Sequence, residues 1–278
     1  MSDYSLKIGA SFVLGFLGLS KVEDFIQFAY RKELVVVELV AEPPLCFVDD
    51  FSKQNRKLIS KLASDLQIEL TLHATFSDTN IAALNLNVRE ANNLIVKKSI
   101  QFAFDIEARI VTVHPGTPGA GGISHPESVK RNNRDSIIEL TQFASKKQIK
   151  LGYENFPIMP WNLFEESYSP DHIRRFIEEI NLPNLGITWD LGHSNTTDFS
   201  LINFYKNFKN HLIHLHFHDN DGPIDGWADK HAPVGSGNIN WGELIKLLKQ
   251  INYSKTCILE LNTVEKIEQS LDYLSSYL

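Results

Sequence analysis

The stretch Leu185-Gly-Ile-Thr-Trp-Asp190 is an almost wholly apolar run that ends in a carboxylate. A strand without polar alternation is typical of a parallel sheet, because both faces of such a sheet are buried. The same arrangement, a β-rich apolar run that ends in His, Asp or Glu, occurs six times in the 278-residue chain. The six runs are IELTLH ending at His73, RIVTVH at His114, IKLGYE at Glu154, LGITWD at Asp190, LIHLH at His216 and TCILE at Glu260.

Strand-like and helix-like segments alternate along the whole chain, and this alternation predicts a single (β/α)₈ TIM barrel that forms one domain over residues 1–278. No glycine-rich nucleotide-binding motif follows a strand, which disfavours a doubly wound nucleotide-binding sheet. The spelling Ser20-Lys-Val-Glu23 predicts a capping box at the first helix. Strands are predicted over 6–10, 34–40, 68–74, 109–114, 149–155, 185–190, 212–218 and 256–262. Helices are predicted over 20–31, 52–66, 88–107, 127–147, 170–181, 199–210, 241–252 and 264–277.

The composition is that of an ordinary globular protein, with 43% hydrophobic and 22% charged residues. The net charge of −7 gives no global electrostatic footprint for nucleic acid. No apolar run reaches the roughly 18 residues of a membrane span, and we find no targeting segment. Cys46 and Cys257 are isolated, which is typical of reduced cysteines and indicates a cytoplasmic protein.

The ends of the predicted strands indicate a metal centre. The carboxyl ends of barrel strands meet at one mouth, so residues far apart in sequence converge there. Imidazoles mixed with carboxylates suit Zn²⁺, Mn²⁺ or Co²⁺, and three loop residues add to the six strand ends. These residues are too many for one ion and enough for two or three. The candidate ligands are His73, His114, Glu154, Asp190, His193, His216, Asp229, His231 and Glu260.

Each candidate has a plainer interpretation when taken alone, because a strand-end carboxylate is more often a salt-bridge or helix-capping group. That interpretation is weaker for Glu154 and Glu260, since an unpaired carboxylate inside an apolar strand is costly. His214, His216 and His218 share one face of their strand. Depth along the strand favours His216 as the ligand, leaves His218 as its neighbour or a substrate contact, and leaves His214 structural.

The chain resembles the xylose isomerase-like TIM barrels, the superfamily grouped as AP endonuclease family 2, over nearly its whole length. In endonuclease IV the corresponding positions bind three zinc ions, and the resemblance implies that all nine ligands are retained, with Glu154 bridging metals. In isomerase and epimerase relatives, the counterparts of Glu154, Asp190, His216 and Glu260 hold one metal, and the two glutamates shuttle a substrate proton. The matching motifs are LHATFSDTN, VTVHPG, YENF, WDLGH, HLHFHDNDG, DKHAPVGSGNINW and LELN.

Two departures from endonuclease IV favour the isomerase chemistry. The second strand, VVVELVAEPP, resembles that of sugar isomerase relatives and aims Glu38 at the mouth. The loop over residues 41–50 is acidic and would repel phosphates. We therefore predict a divalent-metal-dependent isomerase or epimerase of a small sugar, sugar phosphate or polyol, with Glu154 and Glu260 as catalytic groups. Glu38, His218 and Trp227 are the predicted substrate contacts.

Two other functions stay open at this point. Nine retained ligands favour a trinuclear zinc phosphodiesterase that cleaves DNA at abasic sites, in which Arg131, Arg134 and Trp227 contact phosphates and bases. A barrel that binds a metal or small ligand without catalysis is the third possibility. The metal core alone does not separate the first two chemistries, since both use it.

Overall fold

The architecture is a closed barrel of eight parallel strands in sequence order, as predicted. A computed structural model describes residues 6–13, 16–158, 164–223 and 228–277. The first strand pairs with the second and also with the eighth, and this last pairing closes the barrel. The strands are β1 Lys7–Phe12, β2 Val36–Val40, β3 Glu69–His73, β4 Ile110–Val113, β5 Lys150–Glu154, β6 Leu185–Asp190, β7 Leu212–Phe217 and β8 Thr256–Leu259.

Among the described residues, a long helix follows each strand, three short α-helices lie in the loops at the carboxyl ends of β4, β5 and β6, and a 3₁₀ helix spans Val48–Asp50. The long helices are α1 Val22–Arg31, α2 Lys53–Asp65, α3 Leu86–Asp105, α5 Pro126–Ser145, α7 Pro170–Ile180, α9 Leu201–Phe208, α10 Trp241–Gln250 and α11 Val264–Leu274. The short helices are α4 Gly119–Gly122, α6 Glu165–Tyr168 and α8 Leu191–Asn195.

The long helices pack on the strands through one apolar face. In α7 the buried positions Ile173, Phe176, Ile177 and Ile180 recur at helical spacing, so a single stripe faces the barrel. The main apolar core lies between the ring of helices and the strands, where Trp189 and other large side chains are fully buried. This layer fixes the strand positions and leaves the inside of the barrel to other residues.

The inside of the barrel is unusually polar beneath the mouth. The hydroxyls of Thr112 on β4 and Thr188 on β6 lie 3.0 Å apart, although β5 separates these two strands. The Glu38 carboxylate of β2 lies 2.9 Å from His214 Nε2 of β7, again between strands that are not neighbours. Both contacts therefore cross the barrel interior. Bulky aliphatic side chains usually fill this space in TIM barrels.

The predicted strands and long helices are confirmed, with ends that shift by a few residues. The three short helices were not predicted, since they are single turns in loops. The capping box at Ser20 is wrong: α1 begins at Val22, and Lys21 at its N-cap makes no side-chain capping bond. Cys46 and Cys257 are buried and free. In the part of the chain that the structure describes, no helix combines the length and apolarity that a bilayer crossing requires.

Gly152 allows the cross-barrel bond between Thr112 and Thr188, because a Cβ at this position would overlap the Thr188 hydroxyl. We expect Gly152→Ala to lower the free energy of unfolding by about 1–3 kcal/mol through overpacking. The midpoint of urea denaturation measures this change. Gly121→Ala is the matched control, since its Cβ would meet Leu84 Cδ1 at an ordinary 3.7 Å. Equal losses in the two variants would contradict the interpretation.

Candidate metal centre

The carboxylate of Glu154, at the end of β5, contacts three imidazoles from three other strand ends. Its Oε2 atom lies 3.1 Å from His73 Nε2 and 3.0 Å from His114 Nε2. Its Oε1 atom lies 2.7 Å from His216 Nδ1. The ligand atoms of His73, His114 and Glu154, here called the lateral group, lie within 4.8 Å of one another. Strand ends separated by up to 143 positions in sequence therefore meet at one carboxylate.

A second group forms around His216, whose Nδ1 atom faces three carboxylates. Besides Glu154, this nitrogen lies 3.2 Å from Glu260 Oε2 and 3.8 Å from Asp190 Oδ2. The pairing of β6 with β7 sets Asp190 opposite His216. Glu154, Asp190, His216 and Glu260, here called the inner group, offer ligand atoms within 4.8 Å of one another, and all four residues are buried.

A third group, here called the outer group, consists of His193, Asp229 and His231, which come from the loops after β6 and β7. Asp229 Oδ2 lies 3.4 Å from His193 Nε2 and 3.3 Å from His231 Nε2. The Asp219 carboxylate shapes this loop, because it accepts hydrogen bonds from Trp241 Nε1 at 2.8 Å and from a backbone amide at 3.0 Å. The structure thus brings all nine predicted ligands together, in three adjoining groups.

The backbone orients one histidine from the lateral group and two from the outer group in the same way. His73, His193 and His231 each donate the Nδ1 proton to a carbonyl oxygen, at 2.8, 2.8 and 2.9 Å. The acceptors are, in the same order, the carbonyls of Ala74, Asn155 and Glu260. This bond fixes the ring and turns Nε2 toward the carboxylates, which is the arrangement of metal-binding histidines in proteins.

The electrostatics of the centre favour the ionised form of the Glu154 carboxylate. Burial by itself would raise the pKa of Glu154, but His216 and His114 hold it well below its usual range. Burial lowers the pKa of His73, and the contact with Glu154 outweighs this effect and raises it to about 9. Burial likewise lowers the pKa of His231, and the contact with Asp229 outweighs this effect and raises it to about 9. Ionised carboxylates and basic imidazoles are the donors that a divalent cation requires.

The residues present fit a bound divalent cation. Glu260 Oε2 is buried and has no hydrogen-bond partner among the described residues, although it faces His216 Nδ1 at 3.2 Å. A buried carboxylate oxygen without a hydrogen bond carries a desolvation cost that a cation would offset. Three carboxylates around one imidazole, as in the inner group, are a donor set suited to Mn²⁺, Co²⁺ or Zn²⁺.

Two aromatic residues that the sequence analysis missed form a wall beside the lateral group. The Phe76 ring packs against His73 and His114, with ring centres 5.1 and 4.9 Å apart. Phe156 packs on the other side of His114 at 5.0 Å. The signal was present in the sequence, because Phe76 follows His73 by three residues and Phe156 follows Glu154 by two. The wall gives the mouth one apolar side.

Glu42 is another missed residue, and it positions Phe76. Its buried carboxylate accepts the backbone N–H groups of Phe76 and Ser77, at 2.6 and 2.7 Å. The loop after β2 therefore holds the loop after β3. The acidic loop after β2 therefore positions a residue beside the metal centre, although the Glu42 carboxylate itself binds backbone amides.

Two of the predicted substrate contacts, Glu38 and His218, are fully buried. Glu38 does not point into the mouth, because it is fully buried inside the barrel and bonded to His214 and to the Thr71 hydroxyl. His218 is also fully buried and lies 3.0 Å from the Asp190 carboxylate. Trp227 lies outside the described residues. Arg131 and Arg134, considered for phosphate contacts, line a groove of about 480 Å³ between α5 and α7 that includes none of the nine ligands.

Comparison with known proteins agrees with this geometry. Residues 31–277 match the family described as the xylose isomerase-like TIM barrel. The chain belongs to this family. The ligand motifs predicted this family and its barrel fold, and both predictions are confirmed.

Three similar proteins illustrate the range of the xylose isomerase-like barrels around this chain. The uncharacterized protein MJ1311 of Methanocaldococcus jannaschii is 31% identical over 229 residues, which cover 82% of this chain and 76% of that protein. A crystal structure of a D-tagatose 3-epimerase-like protein has a TM-score of 0.84 and 28% identity, covering 98% of this chain and 97% of that one. An AP endonuclease of family 2 from Brucella melitensis has a TM-score of 0.74 and 16% identity, with coverage of 98% and 99%.

The raised pKa values of His73 and His231 predict that metal binding releases protons. Both pKa values are about 9 in the metal-free protein, so at pH 7.5 these rings carry a proton that a cation must displace. We expect the apparent zinc affinity to rise with pH up to about 9. Calorimetric titration in two buffers of different ionisation enthalpy counts the protons, and His73→Ala should release about one fewer. Identical heats in both buffers would contradict this expectation.

Glu38 supports the centre from below, and its removal should destabilise this xylose isomerase-like barrel. Its Oε1 atom lies 3.1 Å from His216 Nε2, and its Oε2 atom lies 2.9 Å from His214 Nε2. Breaking such a buried pair costs about 3–5 kcal/mol, so we expect a loss of this size in the free energy of unfolding of Glu38→Gln at pH 7. The exposed Glu90→Gln on α3 is the control and should change stability by less than about 0.5 kcal/mol.

The pH dependence of this effect has a definite sign. Burial raises the pKa of Glu38, but His216 and His214 lower it from 4.5 to about 2. A lowered carboxyl pKa stabilises the folded state above the unfolded value and loses this effect as the pH falls. The difference between Glu38→Gln and the unchanged protein should therefore shrink below pH 4.5. A difference that is constant with pH would show that the charge of Glu38 is not responsible.

Proposed function

We propose that this protein is a divalent-metal-dependent isomerase or epimerase that acts on a small sugar, sugar phosphate or polyol by proton transfer. The observation that carries the proposal is the convergence of the Glu154, Asp190 and Glu260 carboxylates on His216 Nδ1 at the mouth of the barrel. The 28% identity to a D-tagatose 3-epimerase-like protein over nearly the whole chain supports the same reaction class.

The inner group would hold the reacting metal. Its donors are three carboxylates and one imidazole, a set that suits Mn²⁺ or Co²⁺. When bound there, a divalent ion would supply the polarisation of a carbonyl and its neighbouring hydroxyl that acidifies the adjacent C–H bond.

Glu154 and Glu260 are the proposed proton-transfer groups. Burial raises the pKa of Glu260, and His216 outweighs this effect and holds it below its usual range, so the carboxylate is ionised and able to accept a proton at neutral pH. Glu154 reaches the same imidazole from the end of β5, three strands away from β8, which Glu260 follows. One carboxylate would remove the proton from the substrate carbon, and the other would return a proton to it.

The surroundings of the inner group suit a polar substrate with an apolar face. Phe76 and Phe156 would pack on the C–H groups of a sugar and keep water from the lateral side of the mouth. The most exposed ligand side chains are His114 and His231, at 20% and 32%. These two residues flank the opening through which we propose that the substrate enters. We also propose that His218 and Trp227 contact the substrate or lie next to residues that do.

A zinc phosphodiesterase that cleaves abasic DNA is the second candidate, because the lateral and outer groups supply ligands that proton transfer does not need. The charge distribution favours the first candidate. Within the described ranges, the ion pairs of Glu154, Asp190 and Glu260 are all with histidine and none is with Lys or Arg. Phosphate recognition usually depends on such cations. Retention of all nine ligands also supports an enzyme over a non-catalytic barrel.

Solvent-deuterium exchange tests the proposed reaction. Metal-loaded protein incubated in D₂O with ketoses such as tagatose, fructose and their phosphates should incorporate deuterium at the carbon beside the carbonyl. We expect Glu154→Gln and Glu260→Gln to lower the exchange rate at least about a hundredfold, because proton transfer by a positioned group contributes about 10²–10⁴ in rate. Glu139→Gln, on the outer helix α5 beside Lys97, is the matched control and should exchange normally.

The alternative has its own readout in the same preparation. An abasic duplex should remain uncut with the metal-loaded protein. Cleavage that a chelator abolishes, together with no exchange into any ketose, would favour the phosphodiesterase and refute the isomerase proposal.

A further inference from the structure

A groove on the outside of the barrel concentrates positive charge. It has a volume of about 530 Å³ and is bordered by α2, the turn between α3 and β4, and the segment that follows α5. Five cations and two acidic residues line it, although the chain as a whole has 27 basic and 34 acidic side chains. None of the nine candidate metal ligands lines it. The cations of this groove, here called the basic groove, are Lys53, Arg56, Lys57, Arg109 and Lys147.

Three of the five cations have no acidic partner. Within the described residues, no ion pair joins Lys53, Lys57 or Arg109 to a carboxylate, and all three residues are exposed. The exposed Glu107, which also lines the groove, offsets only part of their charge. Like charges that are held together repel one another, and a bound anion would replace this repulsion with attraction.

The other two cations are held in place. Arg56 Nη1 lies 2.8 Å from Asp105 Oδ2, and the same guanidinium donates hydrogen bonds to two backbone carbonyls at 3.0 and 2.8 Å. Lys147 Nζ donates to Gln101 Oε1 at 2.5 Å and lies 5.0 Å from the centre of the Phe104 ring. Asp105 is therefore already paired, and two positive charges are fixed before any ligand arrives. Such side chains lose little conformational entropy when an anion binds.

Phe104 gives the basic groove an apolar platform. Its side chain is 50% exposed and lines the groove beside Lys147. Aromatic faces stack on other planar rings, and a nearby cation does not prevent this contact. A half-exposed ring next to unpaired cations therefore suits a ligand that has both a flat part and a negative charge.

We propose that the basic groove binds a phosphorylated ligand with a planar ring, of the nucleotide class. The phosphates would lie among Lys53, Lys57 and Arg109, because lysine and arginine are the side chains that bind phosphate, and arginine can do so with two parallel hydrogen bonds. The ring would stack on Phe104. The volume of about 530 Å³ lies within the range of small-molecule sites. The proposal depends neither on the metal centre nor on the reaction at the mouth.

The groove between α5 and α7 does not share this charge pattern. There, Lys130 lies 2.9 Å from Glu166, and Arg175 lies 2.8 Å from Asp171. Its lining also includes two further glutamates, so its positive charges are largely balanced. The two grooves are similar in volume, and the unpaired cations distinguish the basic groove.

An acidic segment of another protein is the competing occupant, since the same cations would attract its carboxylates. Such a segment would bind through charge alone and would not need a ring on Phe104. A nucleotide needs both parts of the basic groove. The two occupants therefore differ in how binding depends on Phe104, and the experiment uses that difference.

The experiment measures binding of three probes to metal-loaded, full-length protein by isothermal titration calorimetry. The probes are ADP, inorganic pyrophosphate and adenosine, which supply ring and phosphates together, phosphates alone and ring alone. The variants are Lys57→Glu, Arg109→Glu and Phe104→Ala, and their unfolding midpoints check that they fold. Arg134→Glu, an exposed arginine of the groove between α5 and α7, is the matched control. Binding of phosphates to metal at the mouth would persist in all these variants.

We expect one ADP to bind per chain at the basic groove, at least about fivefold more tightly than pyrophosphate, because stacking on an aromatic ring contributes this much or more. Adenosine alone should not bind measurably. Lys57→Glu and Arg109→Glu should each weaken ADP binding at least about tenfold. Phe104→Ala should weaken ADP binding at least about fivefold and change pyrophosphate binding less than about twofold. Arg134→Glu should bind as the unchanged protein does.

Three results would overturn the proposal. Absence of ADP binding would show that the cations only face solvent. Equal ADP binding in Lys57→Glu, Arg109→Glu and the unchanged protein would place the nucleotide elsewhere, including at the mouth. Equal affinity for ADP and pyrophosphate, with no effect of Phe104→Ala, would show a site that recognises charge alone and would favour an acidic segment. Each of these results leaves the proposed isomerase or epimerase function standing.

Discussion

The burial of the Glu154 carboxylate is the constraint on which the rest of the centre depends. A charge removed from water is stable only where opposite charges and hydrogen bonds surround it. Here three imidazoles from β3, β7 and the loop after β4 contact its two oxygens. Because each imidazole must reach the same point, the strands that carry them must end around one mouth, and closure of the barrel brings those ends together.

The polar interior beneath the mouth follows from the same constraint. His216 shares its two ring nitrogens between the inner group and Glu38, so the charge of the centre continues one layer deeper into the barrel. His214 and the Thr71 hydroxyl then contact the other oxygen of Glu38, Oε2. An aliphatic layer at this depth would leave the lower nitrogen of His216 facing hydrocarbon. The barrel therefore gives up part of its usual apolar filling in order to hold a charged mouth.

The strands and the convergence of the nine candidate ligands could be predicted because both follow from short-range patterns. An apolar run fixes a strand, and a ligand at its end fixes a position at the mouth, without any knowledge of side-chain contacts. The position of Glu38 could not be predicted this way. Its depth depends on the stagger between β2 and β7, which are not neighbours, and no local pattern encodes that stagger.

Two other contacts could not be predicted for the same physical reason, whereas the capping box at Ser20 is a local error. The contact of His218 with Gly192 joins two loops that only the folded barrel brings together. The loop bond from Glu42 to Phe76 depends on backbone amides, which every sequence has and no motif marks. The expected capping box at Ser20 had the right residues but began the helix too early, since α1 starts at Val22 without a side-chain cap.

The uneven exposure of the ligands sets an order in which ions would come and go. His114 and His231 reach the surface, while Glu154, Asp190 and His216 are sealed. Among the described ligands these two imidazoles are the most exposed, so an ion bound by the sealed residues would pass them on leaving and would stay longer than an ion at the rim. The metal found at the bottom of the mouth would then record the conditions under which the chain folded, more than the conditions in which it works.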